Sequence, residues 1–272
     1  IGAASLGIGG ILQALVGSRA MCRSRTGLID GRWLVLLGAT GVFVYPLAFY
    51  SSMHLGGVAL GTVISLGTAP LFSGLLERVI DGTRLTGRWY LAAALGIAGS
   101  TLLGFARSEG SEGTAVVASC LLGLLAGASY AVYSWASGRL MSAGLPRPAA
   151  MGAIFGLGGL MLMPVLCFTG APLLATTQNL AVAAYLALIP MFLGYLLFGR
   201  ALTAVKASTA TTVTLSEPAV AAALALGLLG ERLGLTGWVG MILIAAALTV
   251  LLLPSASAGA AKTSPDSARV PV

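Results

Sequence analysis

The chain is 272 residues long, and only 8% of them are charged, where a soluble domain carries about 25%. Apolar types make up 57%, mean hydropathy is +0.97, and there are 38 glycines. Fifteen Lys and Arg with eight Asp and Glu cannot clothe a soluble domain of this size, so soluble enzymes and binding modules are excluded. The net charge of +7 does not point to nucleic acid. Its basic residues stand singly between apolar blocks and form no stripe.

In chain order, nine apolar segments stand between charge clusters: 1–18, 33–53, 57–76, 89–106, 114–138, 149–169, 180–199, 207–230 and 235–254. No Asp, Glu, Lys or Arg occurs from Trp33 to Leu76 or from Pro148 to Gly199. A membrane span needs about 20 apolar residues, so each of these runs holds two. Alternation of period two is absent, and backbone groups in lipid must be satisfied within their own segment, so every span is predicted to be a helix. The expected fold is all-α, a polytopic integral membrane protein. Gly-Pro joints such as Gly144-Leu145-Pro146-Arg147-Pro148 separate the helices, and 255–272, rich in Ser, Ala and Pro, reads as a disordered tail.

Alternate loops divide the basic residues unequally. One side receives Arg19, Arg23, Arg25, Arg32, Arg78, Arg84, Arg88, Arg139, Arg147, Arg200, Lys206, Lys262 and Arg269; the other receives Arg107 and Arg232. The positive-inside rule makes the richer side, with the C-terminus, cytoplasmic. Nine spans would then leave Ile1 outside. A ten-helix protein whose first helix precedes Ile1 is the simpler expectation.

The chain also matches itself. Leu85-Thr86-Gly87 repeats as Leu235-Thr236-Gly237 at an offset of 150, with Asp81 opposite Glu231. At an offset of 148, Pro70 falls on Pro218, Ala59 on Ala207 and Tyr50 on Phe198. Asp81 and Glu231 lie on opposite sides of the membrane, so the halves would be inverted, a common construction of secondary transporters.

Ser216-Glu217-Pro218, then Gly230-Glu231-Arg232-Leu233, then Gly240 within a last apolar helix, resemble the EamA-type drug/metabolite transporter family. The run from Gly57 to Pro70 is similar to its N-terminal repeat, although Ala69 replaces the Glu of the Glu-Pro pair and Asp81-Gly82-Thr83-Arg84 departs from Gly-Glu-Arg. The resemblance covers Trp33 to Leu253 and suits a bacterial, actinobacterial-looking member. It implies two inverted repeats of five helices, here 1–106 with four of the five and 114–254, in a bacterial inner membrane. It also implies transport of small metabolites, often outward.

Glu217 lies ten residues into its segment, roughly 14 Å from the cytoplasmic end at about 1.5 Å per residue. By these boundaries it is the only carboxylate inside a helix. A group at that depth is a functional candidate by default, here for substrate binding or proton coupling; alternatively it bonds backbone freed by Pro218. Five prolines, Pro46, Pro70, Pro164, Pro190 and Pro218, fall inside spans. Pro70 and Pro218 are matched helix breaks, the sequence pointer to a transporter site. Thr62, Ser65 and Thr68, with Thr209, Thr212 and Ser216, fall on one face of each helix and either line a polar cavity or bond across helix contacts, the reading favoured here. Tyr45, Tyr50, Tyr130, Tyr133, Trp135 and Tyr195 could wall an aromatic or cationic substrate. Trp33, Trp89 and Trp238 read as interfacial anchors, and Cys120 and Cys167 as packing residues. Gly57-xxx-Gly61, Gly123-xxx-Gly127 and Gly152-xxx-Gly156 read as close helix contacts.

Catalysis finds no support. A single His54, three scattered cysteines and no phosphate-cradling motif leave no enzyme site, metal site or cofactor to expect. The expected function is a secondary transporter of a small organic solute across the lipid bilayer, possible proton exchange included. An uncoupled uptake or facilitative carrier, or a membrane assembly or sensor subunit that transports nothing, are the alternatives.

Overall fold

The structure is a computed structural model describing residues 1–105, 113–217, 219–220 and 234–252. Among these residues it is built of helices without a strand. In order they are α1 (Gly2–Arg23), the short α2 (Arg25–Asp30), α3 (Arg32–Gly56), α4 (Val58–Val79), α5 (Gly87–Phe105), α6 (Gly113–Ser142) and α7 (Arg147–Thr169). A 3-10 turn at Ala171–Leu174 then leads into α8 (Thr177–Leu186), a π-helical segment (Ala187–Leu193) and α9 (Gly194–Ala201), which form one continuous rod. After it come α10 (Ala207–Val213), a 3-10 turn (Thr214–Ser216) and α11 (Leu235–Leu252).

Five of these are long and apolar enough to cross a membrane: Arg32–Gly56, Leu60–Val79, Val116–Ser142, Arg147–Thr169 and Thr177–Ala201. The chain is a multi-pass membrane protein. The remaining expected segments are helical where described, though the part of 207–230 beyond Ala219 and Val220, Pro218 and the tail 255–272 lie outside the described residues.

Glycine sets the helix contacts. On α1, a Cβ at Gly10 would fall against the Phe155 carbonyl of α7, and one at Gly17 against that of Pro148. Gly156 answers from α7, its Cβ direction blocked by the Ala14 side chain at 2.5 Å. On α6, Gly123 faces Ile64, and Gly127 sits against Thr68 Oγ1 and 2.7 Å, at its Cβ position, from Ser65 O. Gly99 of α5 meets Gly240 O of α11 at 2.7 Å in the same sense. With no apolar contrast against lipid tails, packing of this closeness is what drives helices together. The Gly123 and Gly127 pair and the Gly152 and Gly156 pair are therefore contact glycines, as their spacing suggests.

The core lies between α1, α3, α4, α6 and α7, around Leu6, Val42, Leu66, Tyr133, Ile154 and Phe155. Two sequence expectations change here. Trp89 is 5% exposed, not interfacial, because α5 begins two residues earlier and its indole Nε1 donates to Ser208 O at 3.3 Å. Cys167 is exposed rather than packed, since it lies on the outer face of the last turns of α7. Trp33, 72% exposed at the start of α3, keeps the position of an anchor.

Candidate functional site

The tyrosines expected to wall a site come together. Tyr45 of α3 lies 5.6 Å from Tyr130 and 5.8 Å from Tyr133, both on α6. Tyr133 lies 5.9 Å from Tyr195 of α9, and their hydroxyls meet at 2.5 Å. Phe155 of α7 packs on Tyr195 at 4.6 Å, and Phe198 lies against Tyr130 and Tyr195. Tyr45–Tyr133, Tyr133–Tyr195 and Tyr195–Phe198 meet edge to face, as aromatic quadrupoles favour, and the other pairs are tilted. The spacing 130, 133 on one helix, and 195, 198 on another, puts each pair on a single face. Tyr50 stands beside this cluster, one ring removed through Phe49.

Glu217 faces the same cluster. It lies within electrostatic reach of Tyr45, Tyr50, Tyr130 and Tyr195, and the residue itself is exposed. The backbone there has a chemical cause for leaving the α-helix. Proline at 218 has no N–H to give the Thr214 carbonyl, and the Glu217 N–H takes that role in a 3-10 pattern. Thr214 and Ser216 turn their hydroxyls back onto the carbonyls of Thr211 and Val213, at 2.8 Å each. The Thr214 carbonyl thus keeps a backbone donor despite Pro218.

The hydroxyl residues divide differently. Thr68 donates to Ile64 O at 2.7 Å and Thr212 to Ser208 O at 2.7 Å, both along their own helices. Ser65 is fully buried, and its Oγ has no hydrogen-bond partner among the described residues. Ser65 and Thr68 press on Gly127, so they belong to the α4–α6 contact. Pro70 is buried within α4.

Sequence reasoning missed three polar features. Glu77 lies inside α4, is 3% exposed, and accepts from Ser208 N at 2.9 Å through Oε1 and from Ser208 Oγ at 2.6 Å through Oε2. Glu217 is thus not the only carboxylate within a helix. The apolar segment stops at Leu76 because a charge follows it, while the helix runs on to Val79. Asp81, just beyond, takes Trp135 Nε1 at 2.8 Å on Oδ2 and pairs with Arg139 through Oδ1. Gln13 of α1 is 2% exposed and donates to Phe192 O at 3.1 Å in the π segment. Glu77 and Asp81 line a cavity of about 610 Å³ with Trp135, Arg139, Lys206 and the stretch 202–205. It lies at the end of the bundle where α4, α6 and α9 finish and α7 and α10 begin.

The EamA-like transporter family matches residues 117–253. The uncharacterized transporter YwfM of Bacillus subtilis (strain 168) is 34% identical over 218 residues, 80% of this chain and 72% of that protein. A probable terminal-alkyne amino-acid exporter of Streptantibioticus cattleyicolor is 28% identical over 204 residues, 73% of this chain and 65% of the exporter's length. A protein of known crystal structure superposes with a TM-score of 0.73 at 18% identity, over 92% of this chain and 85% of its own, which speaks for the fold alone. Glycine-packed apolar helices, an aromatic cluster and these relatives agree: the chain belongs to the EamA-like transporter family and is a membrane transporter, not an enzyme.

Proposed function

We propose that the protein is an inner-membrane exporter of a small, amino-acid-like metabolite that works by alternating access and exchanges protons through Glu217. Two inverted repeats, within 1–106 and 114–254, would rock against each other, with the C-terminus in the cytoplasm. The observation that carries this reading is the aromatic cluster with Glu217 beside it. Tyr45 comes from the first half, Tyr130, Tyr133 and Tyr195 from the second, so the cluster straddles the plane where alternation would act. A site between halves, next to an interrupted helix, fits the general plan of secondary carriers. Tyrosine faces suit an ammonium group, and the 28% identical relative is named as an amino-acid exporter.

Glu217 suits the coupling role because it stands at a helix break, within electrostatic reach of the tyrosine cluster. Ser216, Thr212, Thr68 and Ser65 remain proposed as substrate-binding or coupling groups. The test is flux. Purified protein in proteoliposomes should move radiolabelled amino acids, and an imposed pH gradient should drive their accumulation. Absence of flux for the twenty common amino acids would remove the amino-acid assignment. Equal flux with and without the gradient would leave an uncoupled carrier.

A further inference from the structure

Four charged side chains line the cavity at the α4–α6–α10 end: Glu77, Asp81, Arg139 and Lys206. By formal charge they cancel, but by hydrogen bonding they do not. Both oxygens of Glu77 are engaged by Ser208. Asp81 accepts from Trp135 on Oδ2, and its Oδ1 forms no hydrogen bond but is ion-paired with Arg139. Arg139 stacks near the Trp135 ring, 5.9 Å from its centroid, and its side chain is 44% exposed. A guanidinium has five N–H donors, and the pair with Asp81 leaves several for another acceptor. Lys206 is exposed and pairs with no acid among the described residues. The cavity therefore has cationic donors to spare at Arg139 and Lys206, while each of its two carboxylates already has a partner, Ser208 for Glu77 and Arg139 with Trp135 for Asp81.

The remaining walls mix apolar groups such as Leu202, Val205 and Ala207 with the hydroxyl residues Thr83, Ser142 and Thr203. Its volume of about 610 Å³ falls within the range of small-molecule sites, about 300–1,000 Å³. Asp81 holds the Arg139 fork in place, so a ligand would meet a fixed donor rather than a floppy one. We propose that Arg139 and Lys206 form a capture site for the carboxylate of a small solute, separate from the tyrosine cluster and visited before it. The proposal rests on the small-solute reading above. It adds that the solute must carry a carboxylate.

The experiment uses full-length protein in phosphatidylcholine nanodiscs, with leucine, acetate, leucine methyl ester and isoamylamine as probes at millimolar concentration. The carboxylates should raise the melting temperature, and the ester and the amine should not. Lys206→Gln should weaken the half-saturating concentration about tenfold, the scale of one charge-assisted hydrogen bond, and Lys206→Arg should restore it. Equal shifts by leucine and its ester, no shift by either carboxylate, or an unchanged response in Lys206→Gln would each overturn the proposal. So would a response to Lys206→Gln seen only when phosphatidylglycerol is added, which would make the occupant an anionic lipid headgroup. Leucine flux measured in parallel keeps the two readings apart. Binding without flux supports the capture site while removing leucine as cargo; flux indifferent to Lys206→Gln removes the capture site while leaving the carrier.

Discussion

Glu77 holds Ser208 by both its groups, the backbone N–H at 2.9 Å and the hydroxyl at 2.6 Å, across 131 residues of sequence. The carboxylate sits at the start of α10, where unpaired N–H groups and the helix dipole favour negative charge. Trp89 then takes the Ser208 carbonyl, so a single serine fastens α4, α5 and α10. A buried acid is tolerable because each oxygen has a donor. Beside it, the ring of Trp89 covers the approach of α4: a Cβ on Gly74 would lie 2.6 Å from the indole.

Glu77→Ala should therefore leave the Ser208 N–H unsatisfied. A hydrogen bond to a charged group contributes about 1.5–3 kcal/mol, so the apparent melting temperature in detergent should fall by several degrees. Glu77→Gln, which keeps an acceptor, should fall less. Equal melting of all three proteins would show that the contact adds nothing to stability.

Two glycines of α6 should behave oppositely. Gly127→Ala drives a methyl into Thr68 and the Ser65 carbonyl, and overpacking of this kind costs about 1–3 kcal/mol. Gly138→Ala meets nothing within 4 Å and should be neutral, or stabilising by about 0.5–1 kcal/mol through helix propensity. Thermal unfolding of the two variants beside the parent decides it.

Orientation can be read with single cysteines. Cys22 and Cys167 are exposed, so the natural cysteines must first be replaced. Cys at Ala175, between α7 and α8, should react with an impermeant thiol reagent from outside intact cells, and Cys at Ser142 should not. Ala175 is preferable to Thr176, whose hydroxyl caps α8 by accepting from Asn179 N at 3.1 Å. The reverse labelling pattern would invert the proposed topology.

Glu217→Gln should fold and insert normally yet lose transport driven by a pH gradient. Exchange of substrate at equal pH should persist. The amide keeps the size and hydrogen-bonding reach of the acid but cannot carry a proton. Unchanged gradient-driven uptake in vesicles would leave Glu217 without a coupling role.

Much of the fold was legible because its signals are local. Charge gaps bracket the helices to within a few residues, and glycine spacing at 123 and 127 marks a real contact with α4, at Ile64 for the first and at Ser65 and Thr68 for the second. The tyrosine cluster was legible as a residue set, though its assembly from α3, α6 and α9 was not. What escaped is pairing at a distance. Nothing in the local sequence says that Gln13 will satisfy Phe192, 179 residues away, or that Trp89 will be buried by α10. Glu77 escaped for a different reason: ending a span at its first charge is a sound rule only where no helix N-terminus waits to receive that charge.

The π segment from Ala187 to Leu193 has its own consequence. Pro190 lacks the N–H an α-helix would use, and the wider turn accommodates an additional residue. Each residue advances an α-helix by about 100°, so that addition puts α8 and α9 out of phase by roughly a third of a turn. α8 and the π segment thus lie against α1, with Gln13 closing on the Phe192 carbonyl, while α9 turns toward α7, where Arg147 donates to Leu196 O at 3.4 Å. The rod thus has two lobes like a camshaft, one set against α1 and one against α7, and Tyr195, at the start of α9, belongs to the second.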